Sequence, residues 1–301
     1  MSAERFSYTP SRPRRPLLRG CLIMVLVLGA VFGLLAVVSK MQGFSFVRGE
    51  KVAVLPISGL IADSEATIEQ LKKFAKDDSV KAIVVRLNTP GGGVGPSQEI
   101  YEEVRKIRGK KVIVASMGAL AASGGYYIAC GADKIFANPG TITGSIGVLM
   151  QFVNVKDLIE KIWVKGFVIK SGSFKDTGSP VREMSPEERK LLQSVIDNVH
   201  SQFVNAVVEG RKLPREDVLA IADGRILSGE QAKGLGLVDV LGNQEDAVAE
   251  AGKMAKIEGE PRVVTPPKKK FSILDLLREE AKSIIDEKLT QTRTRIDYLA
   301  Q

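Results

Sequence analysis

Apolar residues fall along this chain in three distinct patterns. Cys21 to Ser39 reads "CLIMVLVLGAVFGLLAVVS", a run with no charge at all. Further on, short β-branched runs recur: "KVAVLPISGLI" (51–61), "VKAIVVRLNTP" (80–90), "KKVIVASMG" (110–118) and "KIFAN" (134–138). Each has strand length and is apolar enough to be buried on both faces. Between them, Ser64–Lys76, Gly95–Ile107 and Ala121–Ala129 carry helical spacing. Strands alternating with helices predict parallel pairing through right-handed crossovers, an α/β layered fold. A longer helix is expected from Pro186 to about Glu209, with Ser185 as N-cap, Pro186 in the first turn and acids behind it. Residues 223–251 read as a strand, two short helices and a closing turn. Beyond Pro261, "TPPKKK" breaks regular structure. Phe271, Leu274, Leu277, Ala281, Ile284 and Ile285 then form one stripe of an amphipathic helix.

The uncharged run is expected to cross a membrane. As a helix it would rise about 28 Å, close to a bilayer core of roughly 30 Å. It exceeds a cleaved signal's apolar region, and "VVSKMQG" is a poor cleavage site. Arg5, Arg12, Arg14, Arg15 and Arg19 precede it against Glu4 alone, so the positive-inside rule puts the N-terminus in the cytoplasm and the body on the far side. The expected organisation is a basic cytoplasmic segment (1–19), a transmembrane signal anchor (20–40), a globular domain (45–260), and a basic linker with an amphipathic helix (261–301).

Composition narrows the chemistry. The formal charge of +8 sits in the first segment and in Lys268–Lys270, leaving a nearly neutral body and little support for a nucleic-acid partner. Two cysteines and one histidine are too few ligands for a zinc cluster, and neither a metal nor a cofactor is expected. Cys130 reads as a small buried residue.

Two segments carry candidate chemistry. "RLNTPGGGVGPSQEI" (86–100) ends a strand, passes three glycines and opens a helix. It lacks the Lys-Ser/Thr of a phosphate-binding loop, but its glycine N–H groups could line an oxyanion hole. "GALAASGGYYIACG" (118–131) puts Ser123 among small residues at a strand-to-helix turn. Ala121-x-Ser123-x-Gly125 resembles the nucleophile elbow G-x-S-x-G, and a helix N-terminus favours an oxyanion. Taken alone, the elbow match is weak and the serine reads better as a helix N-cap. The sole histidine, His200, lies inside the long helix with no motif around it, which leaves lysine as the alternative base. Lys175, in the Gly/Ser loop "SGSFKDTGSP" (171–180), stands out, although a loop lysine is ordinarily just solvated.

Taken together, "NTPGGGV", "AASGGYYIA", "GTITGSIGV", "SGSFKDTGSP" and "GRILSGEQAKGLGLVDVLG" resemble the signal peptide peptidase A family of membrane-anchored serine proteases, over about residues 50–255. The resemblance implies a crotonase/Clp-protease type of α/β fold and a Ser–Lys dyad. It casts Ser123 as nucleophile, Lys175 as general base, Ser145 as the residue that positions the lysine, and the N–H groups of Gly92 and Gly124 as the oxyanion hole. It implies remnant signal peptides and unfolded peptides as substrates, and self-association into a ring or dome. Thr89 stands where many members have Ser, and Ala121 occupies the first elbow position. Rival readings are a crotonase-type acyl-CoA enzyme, a silent envelope scaffold, and a Clp-like protease. The last would want a histidine where this chain has Gly147 and Val148.

Overall fold

The computed structural model describes Met24, residues 26–34, residues 49–267 and the backbone of 297–299. It separates into one unit up to Gly49 and a second from Glu50 onward. In the first unit, Met24 and residues 26–34 (α1) are helical. Among the described residues no helix is long and apolar enough to cross a membrane. Most of the expected 20–40 span, the basic 1–19 segment and the expected helix over 271–285 lie outside the described residues.

The second unit is built on an eight-stranded, mostly parallel sheet. Strands β1 (Lys51–Ser58), β2 (Val80–Thr89) and β4 (Val112–Ala122) form its centre, paired in the order β4-β2-β1. Helices α2 (Glu65–Lys76) and α3 (Val94–Arg108) make the crossovers, with β3 (Gly91–Gly93) just before α3. Strand β9 (Arg262–Val264) adds to the free edge of β1, so the sheet runs past the domain end expected near residue 260.

Strand β4 serves two neighbours in succession. Its first half, Val114–Met117, pairs with β5 (Lys134–Ala137), and its end, Leu120–Ala122, pairs with β6 (Ile142–Gly144). Antiparallel β7 (Ile226–Ser228) then follows β6. The helix expected from Ala121 therefore starts later, as α4 (Gly124–Ala129). Alanine favours helix intrinsically, but pairing with β6 holds Ala121 and Ala122 in the sheet.

Alternation along β1 sorts the core. Val52 and Val54 face one layer with Ala247, Val248 and Ala251 of α9 (Gln244–Met254). Ala53, Leu55 and Ile57 face the other, with Leu71, Ile100, Val104, Tyr126 and Phe203. Phe203 belongs to α6 (Pro186–Arg211), which starts with the expected Ser185 cap, here a full capping box with Glu188. Short α5 (Lys156–Lys161), α7 (Arg215–Leu219), α8 (Gly229–Gly234) and β8 (Val240–Leu241) complete this unit, and β10 (Asp297–Leu299) pairs antiparallel with β3. Cys130 is buried as expected, and burial pushes its thiol up to about 12.

Candidate active site

The site forms where β4 runs out. Ala122 is the last paired residue, opposite Gly144. The Ser123 amide donates to the Gly144 carbonyl at 2.9 Å, and the Ser123 carbonyl accepts from the Tyr127 amide at 2.8 Å, the first turn of α4. Between these bonds Ser123 takes φ 54° and ψ −118°, a conformation that side chains rarely adopt. Such strain costs on the order of 1–3 kcal/mol and persists only where the surroundings impose it. Ser123 is fully buried, yet its Oγ has no hydrogen-bond partner and makes no cap bond to α4. The N-cap reading therefore fails on geometry. A strained strand-to-helix turn carrying an uncommitted hydroxyl is the nucleophile-elbow arrangement.

The small residues around Ser123 have steric causes. A Cβ on Gly124 would stand 2.4 Å from Ser97 Oγ and 3.3 Å from the Gly92 nitrogen, and one on Gly125 would meet Thr89 Cγ2 at 2.7 Å. The two expected oxyanion donors, Gly92 and Gly124, are thus brought together. Gly91–Gly93 form a short strand. The Ile61 amide donates to the Gly91 carbonyl and the Gly93 amide to the Ile61 carbonyl, both at 2.9 Å. This leaves a Gly92 Cβ only 2.2 Å from the Ile61 oxygen, room for glycine alone. On its other side β3 takes the β10 backbone, with Tyr298 opposite Gly92.

Ser145 directly follows the Gly144 that holds the Ser123 amide. It is buried with φ 49°, and its own amide donates to the Arg225 carbonyl at 2.8 Å. Lys175 is not joined to this cluster. It is exposed, in the run of turns before α6, and makes no hydrogen bond to Ser123. Its loop is nonetheless clamped. The Asp176 carboxylate accepts from Lys170 Nζ at 2.6 Å and from Arg182 Nε and Nη2 at 2.9 Å each. Arg182 also donates to buried Glu188, which accepts from Thr177 Oγ1 and the Ser185 amide. The Arg182 guanidinium is the main reason that Asp176 lies well below the usual carboxylate range and Glu188 is held down at about 2. Nothing in the residue pattern marked this clamp, because its members are ordinary loop charges until folding converges them. Ser97 was equally silent, a serine in the first turn of a helix.

His200 sits on α6 with a buried, unpartnered Nε2 and no bond to Ser123. Among the described residues no group of three or more His, Cys, Asp or Glu could hold a metal ion.

The mostly parallel α/β sheet is consistent with a Clp-protease-like fold, and it presents a strained serine at a strand-to-helix turn beside a glycine strand. The family described as Clp protease matches residues 52–142, and Peptidase family S49 matches residues 105–258. A putative protease of Synechocystis sp. is 46% identical over 211 residues, 69% of this chain and 76% of that protein. A putative signal peptide peptidase SppA of Enterococcus faecium is 40% identical over 222 residues, 69% of this chain and 64% of that protein. Protease 4 of Salmonella typhi is 37% identical over 220 residues, 70% of this chain but 35% of its own length. The chain belongs to peptidase family S49 and is a serine peptidase.

Proposed function

We propose that this protein is a membrane-anchored endopeptidase working through a Ser123–Lys175 dyad. The observation that carries the reading is the strained, buried Ser123 whose hydroxyl no other group uses. Neutral Lys175 takes the Ser123 proton as Oγ attacks the substrate carbonyl, and Ser145 positions the amine. The Gly92 and Gly124 N–H groups receive the oxyanion. Lys175 then protonates the leaving amine, and water repeats the sequence on the acyl-enzyme. Lysine is taken as the base because the sole histidine, His200, lies inside α6 with no motif around it.

An extended peptide fits this site. The edge of β3 opposite Ile61 pairs antiparallel with the backbone of β10, and edges of this kind bind peptides through main-chain hydrogen bonds. We assign as substrates the apolar remnants of signal peptides and other unfolded peptides. A relative named for signal peptide cleavage supports this. Residues 20–40 would anchor the chain, N-terminus in the cytoplasm, holding the catalytic body at the extracytoplasmic membrane face.

Lys175 reaches Ser123 through self-association. The segment that precedes it carries Trp163, Phe167 and Ile169 at 90%, 88% and 92% exposure. Apolar side chains left open to this extent are expected to be covered by a partner. A ring or dome of copies would bury them and carry Lys175 of one copy to Ser123 of its neighbour. The test is hydrolysis of casein or an apolar fluorogenic peptide by the full chain in detergent. Activity that requires Ser123 and Lys175 supports the assignment, and activity surviving Ser123→Ala refutes it.

A further inference from the structure

The glycine that follows the nucleophile is crowded by a second serine hydroxyl, which the dyad does not use. Ser97 lies in the first turn of α3 and is fully buried. Its Oγ has no hydrogen-bond partner, like that of Ser123. A Cβ built on Gly124 would fall 2.4 Å from Ser97 Oγ and 3.3 Å from the Gly92 nitrogen. The Ser97 hydroxyl and the Gly92 N–H therefore border the same small space beside Gly124, from two different elements, α3 and β3.

Packing gives no reason for the hydroxyl. A buried donor left unbonded is destabilising, and an alanine there would carry no such penalty. What the position lacks is an acceptor, and a peptide substrate brings one. Its scissile carbonyl oxygen must come within reach of the Gly92 and Gly124 N–H groups as Ser123 attacks. We infer that Ser97 is a third donor of the oxyanion hole, its O–H hydrogen-bonding the carbonyl oxygen as negative charge develops there. This assignment rests on Ser123 being the nucleophile. No proton is transferred: Ser97 keeps its hydrogen and the bond strengthens with the charge. The hydroxyl is satisfied only in the transition state, so its energy lowers the barrier rather than tightening ground-state binding.

The test compares wild-type protein, Ser97→Ala and Ser123→Ala in full-length form. Three quantities are read: thermal midpoint, kcat and KM on one fluorogenic peptide, and inhibition by the matching peptide aldehyde, whose adduct resembles the tetrahedral intermediate. For Ser97→Ala the expected result is a kcat lower by about 100- to 1,000-fold, the range for losing one oxyanion donor. KM should stay within about twofold, and the aldehyde should weaken by a factor similar to the loss in kcat/KM. The thermal midpoint should hold or rise, because an orphaned hydroxyl has been removed. Wild-type kcat in Ser97→Ala, or a loss that accompanies a falling midpoint, overturns the assignment. Full activity in Ser123→Ala instead overturns the nucleophile on which it rests, and the two failures are distinguishable.

Discussion

The Ser123 amide donates to the Gly144 carbonyl at 2.9 Å, which ties the elbow to β6 one residue before Ser145. The nucleophile and the residue assigned to hold its base are thus fixed to one another through the backbone. Ser145→Ala removes only the hydroxyl and leaves this bond intact. The expected outcome is a kcat reduced about 10- to 100-fold with little change in thermal midpoint, less than the loss of a proton-transfer group itself because Ser145 only positions one. Steady-state kinetics and calorimetry on the same sample check it.

Gly92 is placed by the Ile61 backbone, 2.2 Å from where a Cβ would sit. Both contacting groups are main chain, so neither can rotate away. Gly92→Ala is expected to break the β3–Ile61 pairing and misalign the oxyanion hole, lowering kcat by at least about 100-fold. Activity near wild type with an unchanged midpoint would show that β3 is not part of the hole.

The clamp before α6 gives a pH dependence whose sign is fixed. Asp176 and Glu188 are both more acidic in the folded protein than when free, chiefly through Arg182. Their contribution is complete above the ordinary carboxylate range near pH 4 and is lost as pH falls toward about 2, where Glu188 takes up its proton. The only tryptophan, Trp163, lies in the segment that leads into this loop. Its fluorescence is expected to change over that acid window, and Arg182→Ala is expected to move the change to higher pH.

Lys175 makes no hydrogen bond to Ser123 within one copy, so two inactive proteins should rescue each other. Ser123→Ala mixed with Lys175→Ala, dissociated and reassembled together, is expected to recover a fraction of wild-type activity. Each alone should stay inactive. Replacing Trp163 and Phe167 by serine should lower both the assembly size in light scattering and the activity. Inactive mixtures that still assemble would mean that the base comes from the same copy.

Much of this was legible in the residues. β1, β2, β4 and β5 announce themselves because burial on both faces demands unbroken β-branched runs. The start of α6 is written in Ser185, Pro186 and Glu188. The end of β4 was not legible: "ALAAS" has helical propensity, and only β6, brought alongside by folding, makes it strand. Gly91–Gly93 carry no strand signal, since their pairing is imposed by Ile61. At the site, Ser123 stood out by its elbow-like spacing, and the family resemblance supplied Ser145, Gly92 and Gly124. The N-cap alternative for Ser123 needed its φ and its unbonded Oγ to be set aside. Ser97 and the Arg182 clamp are defined by burial and convergence, which no local pattern encodes.

The central claim is that Ser123 attacks and a lysine, Lys175, removes its proton. It is tested most directly by the pH–rate profile of peptide hydrolysis for wild type, Ser123→Ala and Lys175→Arg. An amine accepts a proton only when neutral, and a guanidinium cannot be deprotonated in a protein. The wild-type rate is expected to climb from neutral to alkaline pH. Both variants should lie at least about 1,000-fold below it across the range. A wild-type rate that is flat or falls over that interval, or a Lys175→Arg protein as active as wild type, would contradict it.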